Sequence, residues 1–226
     1  MTIREAARNN AEWCDLVCRT HQAPGTFTGR AWTNPTRTPL LYPDAVTLSP
    51  EATAADVLDH IDQGSGASVK DSFAALDLPG FDVLFEAEWI YHPTPGGTPG
   101  AAATGDPIAW EVVDDAATLR DWEQACFAGG VTDLFLPGLL AEAKLLCGRI
   151  EGDIVCGSAL NASGRVVGVS NVYASGCDID AAWSGTLALA ADLFPGRPLV
   201  GYETDPEDAM KHGFTTIGPL RVWLKP

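Results

Sequence analysis

A phenol and a carboxylate stand side by side at Tyr202 and Glu203, at the end of a short apolar run. A carboxylate in that setting can take a proton and a phenol can give one, the two halves of general acid–base work. The same pair could instead fill a sheet face and cap the helix that follows. Lys70-Asp71 precedes Gly80-Phe81 much as Tyr202-Glu203 precedes Gly213-Phe214. Lys70 is therefore a candidate for gripping a substrate, in a chain with few lysines. Trp89 could line a ligand pocket or pack a core. Arg221, on the final strand, could pair an acidic substrate or Glu203. Ser170-Asn171 interrupts an apolar strand, which either lines a cleft or simply turns one polar group outward. His212, at a helix end, suits a cap or C-terminal cation.

Other chemistries find no support. The cysteines at 14, 18, 126, 147, 156 and 177 form no CxxC pair, and the histidines at 21, 60, 92 and 212 are scattered. No metal is expected, and the thiols read as reduced core filler. There is no G-x-S-x-G elbow, no GK[ST] phosphate loop and no H-E-x-x-H. The 226 residues carry 14 Lys/Arg against 30 Asp/Glu, a net charge of −16. No basic cluster exists, so neither nucleic acid nor an anionic membrane is an expected partner, whereas an amine would be attracted. No run approaches the roughly 18 apolar residues of a membrane span. Met1–Glu5 lacks a leader's apolar stretch, so a cytoplasmic location is expected.

These side chains need elements to hold them. Trp13, Leu16 and Val17 mark one face of a helix over 5–20. Thr26–Thr33 and Ala45–Leu48 suggest short strands, residues 51–63 a helix capped by Ser49 or Thr53, and Ser72–Leu78 a short helix-like piece. Val83–Tyr91 reads as a strand. The stretch 94–106, rich in Pro, Gly and small residues, cannot fill a core and reads as a linker between an N-terminal half (1–93) and a C-terminal half (107–226). Beyond it come a strand (Ile108–Val113), a helix over 116–128 capped by Asp114 or Asp115, and a helical turn or two near Leu139–Leu146. Three strands follow at Lys144–Ile150, Ile154–Ala159 and Val166–Ala174, then a helix over 180–193. Leu199–Glu203 is a strand, Pro206–His212 a short helix, and Thr215–Leu224 a strand broken at Gly218-Pro219. Meander plus crossovers gives an α/β (α+β) fold, a mixed β-sheet with flanking helices. Each half opens with a helix bearing a Trp and a later Cys, and each ends in a 14-residue stretch opened by Gly-Phe, which suggests two related halves in tandem.

The order of elements in 108–226, with a short helix running into Gly213-Phe214 and a last strand, resembles the GNAT (GCN5-related N-acetyltransferase) superfamily. The first half resembles a degenerate copy. The resemblance implies an N-acyltransferase that moves an acyl group from acetyl-CoA or another acyl-CoA to a small amine. It implies a cofactor rail along Val169, Ser170, Asn171, Val172, Tyr173 and Ala174, where this strand parts from Leu199–Glu203 and leaves backbone groups for the pantetheine amides. Glu203 would serve as base and Tyr202 as acid, with Lys70, Trp89 and Arg221 toward the substrate. The family's phosphate loop aligns with Asp180–Gly185, where only Gly185 agrees; Ser175-Gly176 offers another turn. The family's frequent tyrosine, four residues before the Gly of Gly-Phe, is Ala209 here. The alternatives are a non-catalytic relative that binds a small molecule or protein in the cleft between the halves, and a tandem relative using a donor such as an aminoacyl-tRNA.

Overall fold

The computed structural model describes residues 2–94 and 108–226, so the expected linker lies, from residue 95 on, outside the described residues. The chain is mixed α/β and divides into two compact units. Unit 1 comprises Met1–Ile90, Tyr202–Pro206 and Thr216–Pro226; unit 2 comprises Tyr91–Gly201 and Glu207–Thr215.

In unit 1, helix α1 (Ile3–Thr20) buries Ala6, Ala7, Ala11, Trp13, Cys14, Val17 and Cys18, a stripe at helical spacing. The short strands β1 (Thr26–Phe27), β2 (Ala31–Thr33) and β3 (Ala45–Thr47) follow, then α2 (Ala54–Leu58) and β4 (Ser68–Asp71). Strand β5 is Asp82–His92, and β11 (Thr215–Leu224) returns to this unit. Their order is β1-β2-β3-β4-β11-β5. The β3–β4 pair is parallel, with Val46 against Lys70. The β4–β11 pair is antiparallel, with Lys70 against Val222 and Asp71 against Arg221. Two buried indoles are anchored by their N–H. Trp32 Nε1 donates to Asp15 at 3.0 Å, and Trp89 Nε1 donates to the Ser72 carbonyl at 2.8 Å. Each indole thereby buries an apolar body without stranding its donor.

In unit 2, β6 (Ala109–Val112) leads to α3 (Ala116–Cys126), whose N-cap Asp115 accepts from the amides of Ala117 and Thr118. A 3-10 turn at Pro137–Ala141 precedes the meander β7 (Ala143–Ile150), β8 (Asp153–Ser163) and β9 (Val166–Ala174). Then come α4 (Ile179–Leu193), β10 (Leu199–Glu203) and α5 (Glu207–Lys211). Strand order is β10-β9-β8-β7-β6, antiparallel except for the parallel β10–β9 pair. The last two residues of β10, Tyr202 and Glu203, fall in unit 1. Among the described residues no helix is long and apolar enough to cross a membrane.

Three local expectations change. The helix expected over 51–63 forms only at Ala54–Leu58, because Asp59 ends it and Gly64 and Gly66 follow in turns. Ser72–Leu78 is not helical: Asp71 Oδ2 takes the amide of Leu76 and Oδ1 that of Phe73, folding the segment onto the end of β4 as a turn. The expected break at Gly218-Pro219 lies inside a continuous β11. Gly218 absorbs the proline with a φ of 140°, where an added Cβ would come within 2.6 Å of Ile3.

Candidate functional site

The proposed rail lies on β9, in unit 2. The β9–β10 ladder pairs Val167 with Leu199 and Gly168 with Val200. Val169 is the next residue on β9, and it, Ser170, Tyr173 and Ala174 are paired on the other side, to β8. Between Ser170 and Tyr173 the β8 register slips: Ala159 faces Ser170, Gly157 faces Tyr173, and β9 carries one residue more than β8 across that interval. The extra residue makes a β-bulge, with Asn171 held at a φ of 53°. An asparagine tolerates that left-handed conformation better than the valines around it. A bulge locally disrupts pairing and bends its strand, so backbone groups of β9 are turned out of the regular ladder here.

Side chains at the bulge are sorted between two helices. Tyr173 packs edge-on against Trp122 of α3, with ring centroids 5.3 Å apart; burial pushes its phenol well above the ordinary range. Asn171 Nδ2 reaches Cys126 of α3. Val172 and Ala174 pack with Val155, Cys156 and Ala182 of α4. The Ser170 hydroxyl oxygen is buried and has no hydrogen-bond partner among the described residues. A buried hydroxyl with no partner is unfavourable by itself, the kind of group that a ligand or a water can satisfy.

The phosphate end differs from the sequence alignment. Gly185 lies well inside α4, not in a loop, and an added Cβ would meet the Trp110 indole at 2.1 Å. Its missing side chain admits Trp110 of β6. The turn leading into α4 is Ser175–Asp178. There the amides of Ser175 and Gly176 both donate to the Val155 carbonyl, at 2.8 and 3.0 Å. Asp178 is the N-cap and its carboxylate takes the Asp180 amide at 3.0 Å. Asp180 in turn holds His212 Nε2 at 3.0 Å, and His212 stacks on Trp183. The N-terminus of a helix is a ready anion site, but here two carboxylates occupy it. These residues do not fit the diphosphate of CoA in that position.

Lys70, Trp89 and Tyr202 are brought together in unit 1. Lys70 Nζ donates to Tyr202 Oη at 3.1 Å and lies 4.3 Å from the centroid of its ring. Trp89 meets the same ring edge-on, with centroids 5.6 Å apart. Asn10 completes the group, its Oδ1 2.9 Å from Lys70 Nζ; no spacing rule ties a residue of α1 to one of β4, so the sequence carries no signal for it. Arg221 is held apart from this group by Glu86, with Nε at 2.9 Å and Nη2 at 2.6 Å from one carboxylate oxygen. Glu203 is half-buried at the end of β10. Among the described residues no cluster of three or more His, Cys, Asp or Glu could hold a metal.

Neither a protein-family model nor a curated protein sequence matches this chain. Solved structures do. A GCN5-related N-acetyltransferase from Kribbella flavida superposes with a TM-score of 0.62 at 14% identity, over 98% of this chain and 95% of that one. An acetyltransferase of the GNAT family from Novosphingobium aromaticivorans gives 0.60 at 15% identity, over 97% and 99%. A GCN5-related N-acetyltransferase from Sphaerobacter thermophilus gives 0.53 at 11% identity, over 74% and 62%. With the bulged strand, the mixed sheet and the flanking helices in place, these likenesses show that the chain has the fold of the GCN5-related N-acetyltransferases.

Proposed function

We propose that this chain is an N-acyltransferase, moving an acyl group from a thioester such as acetyl-CoA to a small amine. The observation that carries the reading is β9: its ladder to β10 pairs Val167 and Gly168, and three residues on it bulges at Asn171 beside the unpartnered Ser170 hydroxyl. A strand bent out of its ladder offers amide and carbonyl groups to an extended arm that carries amides of its own, as in strand addition. When bound, the thioester would supply the activated acyl group. The chain would supply the rail Val169–Ala174, Glu203 to take the amine's proton and Tyr202 to give one. Lys70, Trp89 and Arg221 would lie toward the acceptor, and Arg221 would engage it only by exchanging Glu86.

A second reading, a non-catalytic protein that binds its ligand in this fold, is favoured by Asp178 and Asp180 at the start of α4. Calorimetric titration with acetyl-CoA and with S-acetylpantetheine, which lacks the phosphates, separates the two. Under the acyl-transfer reading the pantetheine thioester binds, and thiol is released when an amine is added. Glu203→Gln then lowers turnover by about a hundredfold or more while binding stays near wild type. Heat from neither thioester leaves the non-catalytic reading.

A further inference from the structure

Lys70 is a buried ammonium without a carboxylate. It sits on β4 between Val46 and Val222 and is only 4% exposed. Its Nζ has Asn10 Oδ1 at 2.9 Å, Tyr202 Oη at 3.1 Å and the Tyr202 ring face, all neutral. The buried acids of unit 1 are committed elsewhere. Asp44 binds Arg37, Thr38 and the Ser68 amide, while Asp71 binds the amides of Phe73 and Leu76. No ion pair to Lys70 exists among the described residues. A lone buried ion loses more on leaving water than neutral hydrogen bonds return, which is why buried charges are normally paired.

The same group has a surplus of donors. An ammonium carries three N–H bonds. Tyr202 accepts from Lys70 and so keeps its own O–H to give. Asn10 turns its oxygen to Lys70 and so keeps its amide N–H bonds. Among the described residues neither donor meets an acceptor, and both side chains are partly exposed. Partly exposed donors beside a buried cation with no carboxylate suit an anion with two acceptor oxygens in place of water.

We propose that unit 1 carries an anion-binding subsite at Lys70 that takes a small organic carboxylate, with Tyr202 and Asn10 as its neutral donors. A single positive charge in a chain of net charge −16 favours a monoanion over a multiply charged phosphate. The subsite belongs to unit 1 alone; it shares Lys70 and Tyr202 with the acceptor side proposed for acyl transfer, and its test reads carboxylate binding without turnover.

The test uses the full chain and follows thermal shift and calorimetry. The probes are acetate and benzoate, with acetamide and benzamide as uncharged counterparts and inorganic phosphate as a second anion, all at matched ionic strength. Saturable binding of a carboxylate, weaker binding of phosphate and none of the amides is the expected result. Lys70→Met abolishes the response. Should that variant not fold, Tyr202→Phe keeps the ring and weakens carboxylate binding about fivefold through loss of one donor. A response shared equally by the amides or by phosphate overturns the proposal. So does a wild-type chain that gives no saturable response, or a Tyr202→Phe chain that binds as wild type does.

Discussion

Asp178 Oδ1 accepts the amide of Asp180 at 3.0 Å, so helix α4 begins with its own carboxylate where a bound anion would sit. Like charges about 4 Å apart repel by about 1 kcal/mol in water and about 4 kcal/mol near a protein surface. Replacing both acids with Asn keeps a capping side chain at 178 and removes the charge. The double variant is expected to bind CoA at least tenfold more tightly than wild type, the equivalent of about 1.4 kcal/mol, in calorimetry at low salt. Unchanged affinity would place the diphosphate away from α4.

Gly185 tests whether a glycine serves packing or phosphate. Gly185→Ala should stabilise an α-helix by about 1 kcal/mol on propensity alone. The added methyl would overlap the Trp110 indole, 2.1 Å from the Cβ position. The overlap dominates, and the variant should lose about 1–3 kcal/mol in denaturant unfolding. Adding Trp110→Ala should recover part of that loss, a coupling readable from a double-mutant cycle.

Glu123 is only 4% exposed, and its two oxygens take the amides of Asp133, Leu134 and Phe135, each at 2.8 Å. Hydrogen bonds to a charged group are worth about 1.5–3 kcal/mol apiece before relaxation. Glu123→Ala strands three amides and should cost about 3–4 kcal/mol of stability. Hydrogen exchange at Asp133–Phe135 should quicken well beyond the change seen in β7 and β8.

Burial holds His92 below the ordinary imidazole range, opposed by backbone hydrogen bonds at Pro93 and His212. Above about pH 6.5 the ring is neutral in both folded and unfolded chains. As pH falls below that value the unfolded chain takes a proton that the folded one resists, so stability drops toward the lower folded pKa and is not regained. His92 packs edge-on against Phe214, and His92→Phe keeps that packing. Melting temperature should fall between pH 7 and pH 5 in wild type, and by clearly less in the variant.

Apolar patterning and turn signals placed α1, α3, α4 and the β7–β9 meander from the residues alone: α1 carries a stripe at helical spacing, and the strands of the meander are apolar runs separated by turn residues at 151–153 and 161–164. What stayed hidden depended on register or on a single side chain. Asp71 folds Ser72–Leu78 into a turn by taking two amides, which helical spacing does not encode. Gly185 matches the family's phosphate loop in sequence, whereas its packing against Trp110, from a strand far off in sequence, depends on the fold. Ser170-Asn171 was legible as an interruption, but not as a bulge, because a bulge exists only relative to the partner strand. Lys70, Trp89 and Tyr202 were each candidates, yet their convergence with Asn10 follows from the fold of unit 1 and from no motif.

The pairing of β4 with β11 joins Ser68–Asp71 to Arg221–Leu224. During synthesis on a ribosome the first ninety-odd residues must therefore wait, with one flank of β4 bare, until Arg221–Leu224 has emerged. The meander and its crossover helix have all their strands available earlier. A nascent chain stalled before residue 216 would expose that flank as a sticky seam, the natural target for a chaperone or for a neighbouring polysome product.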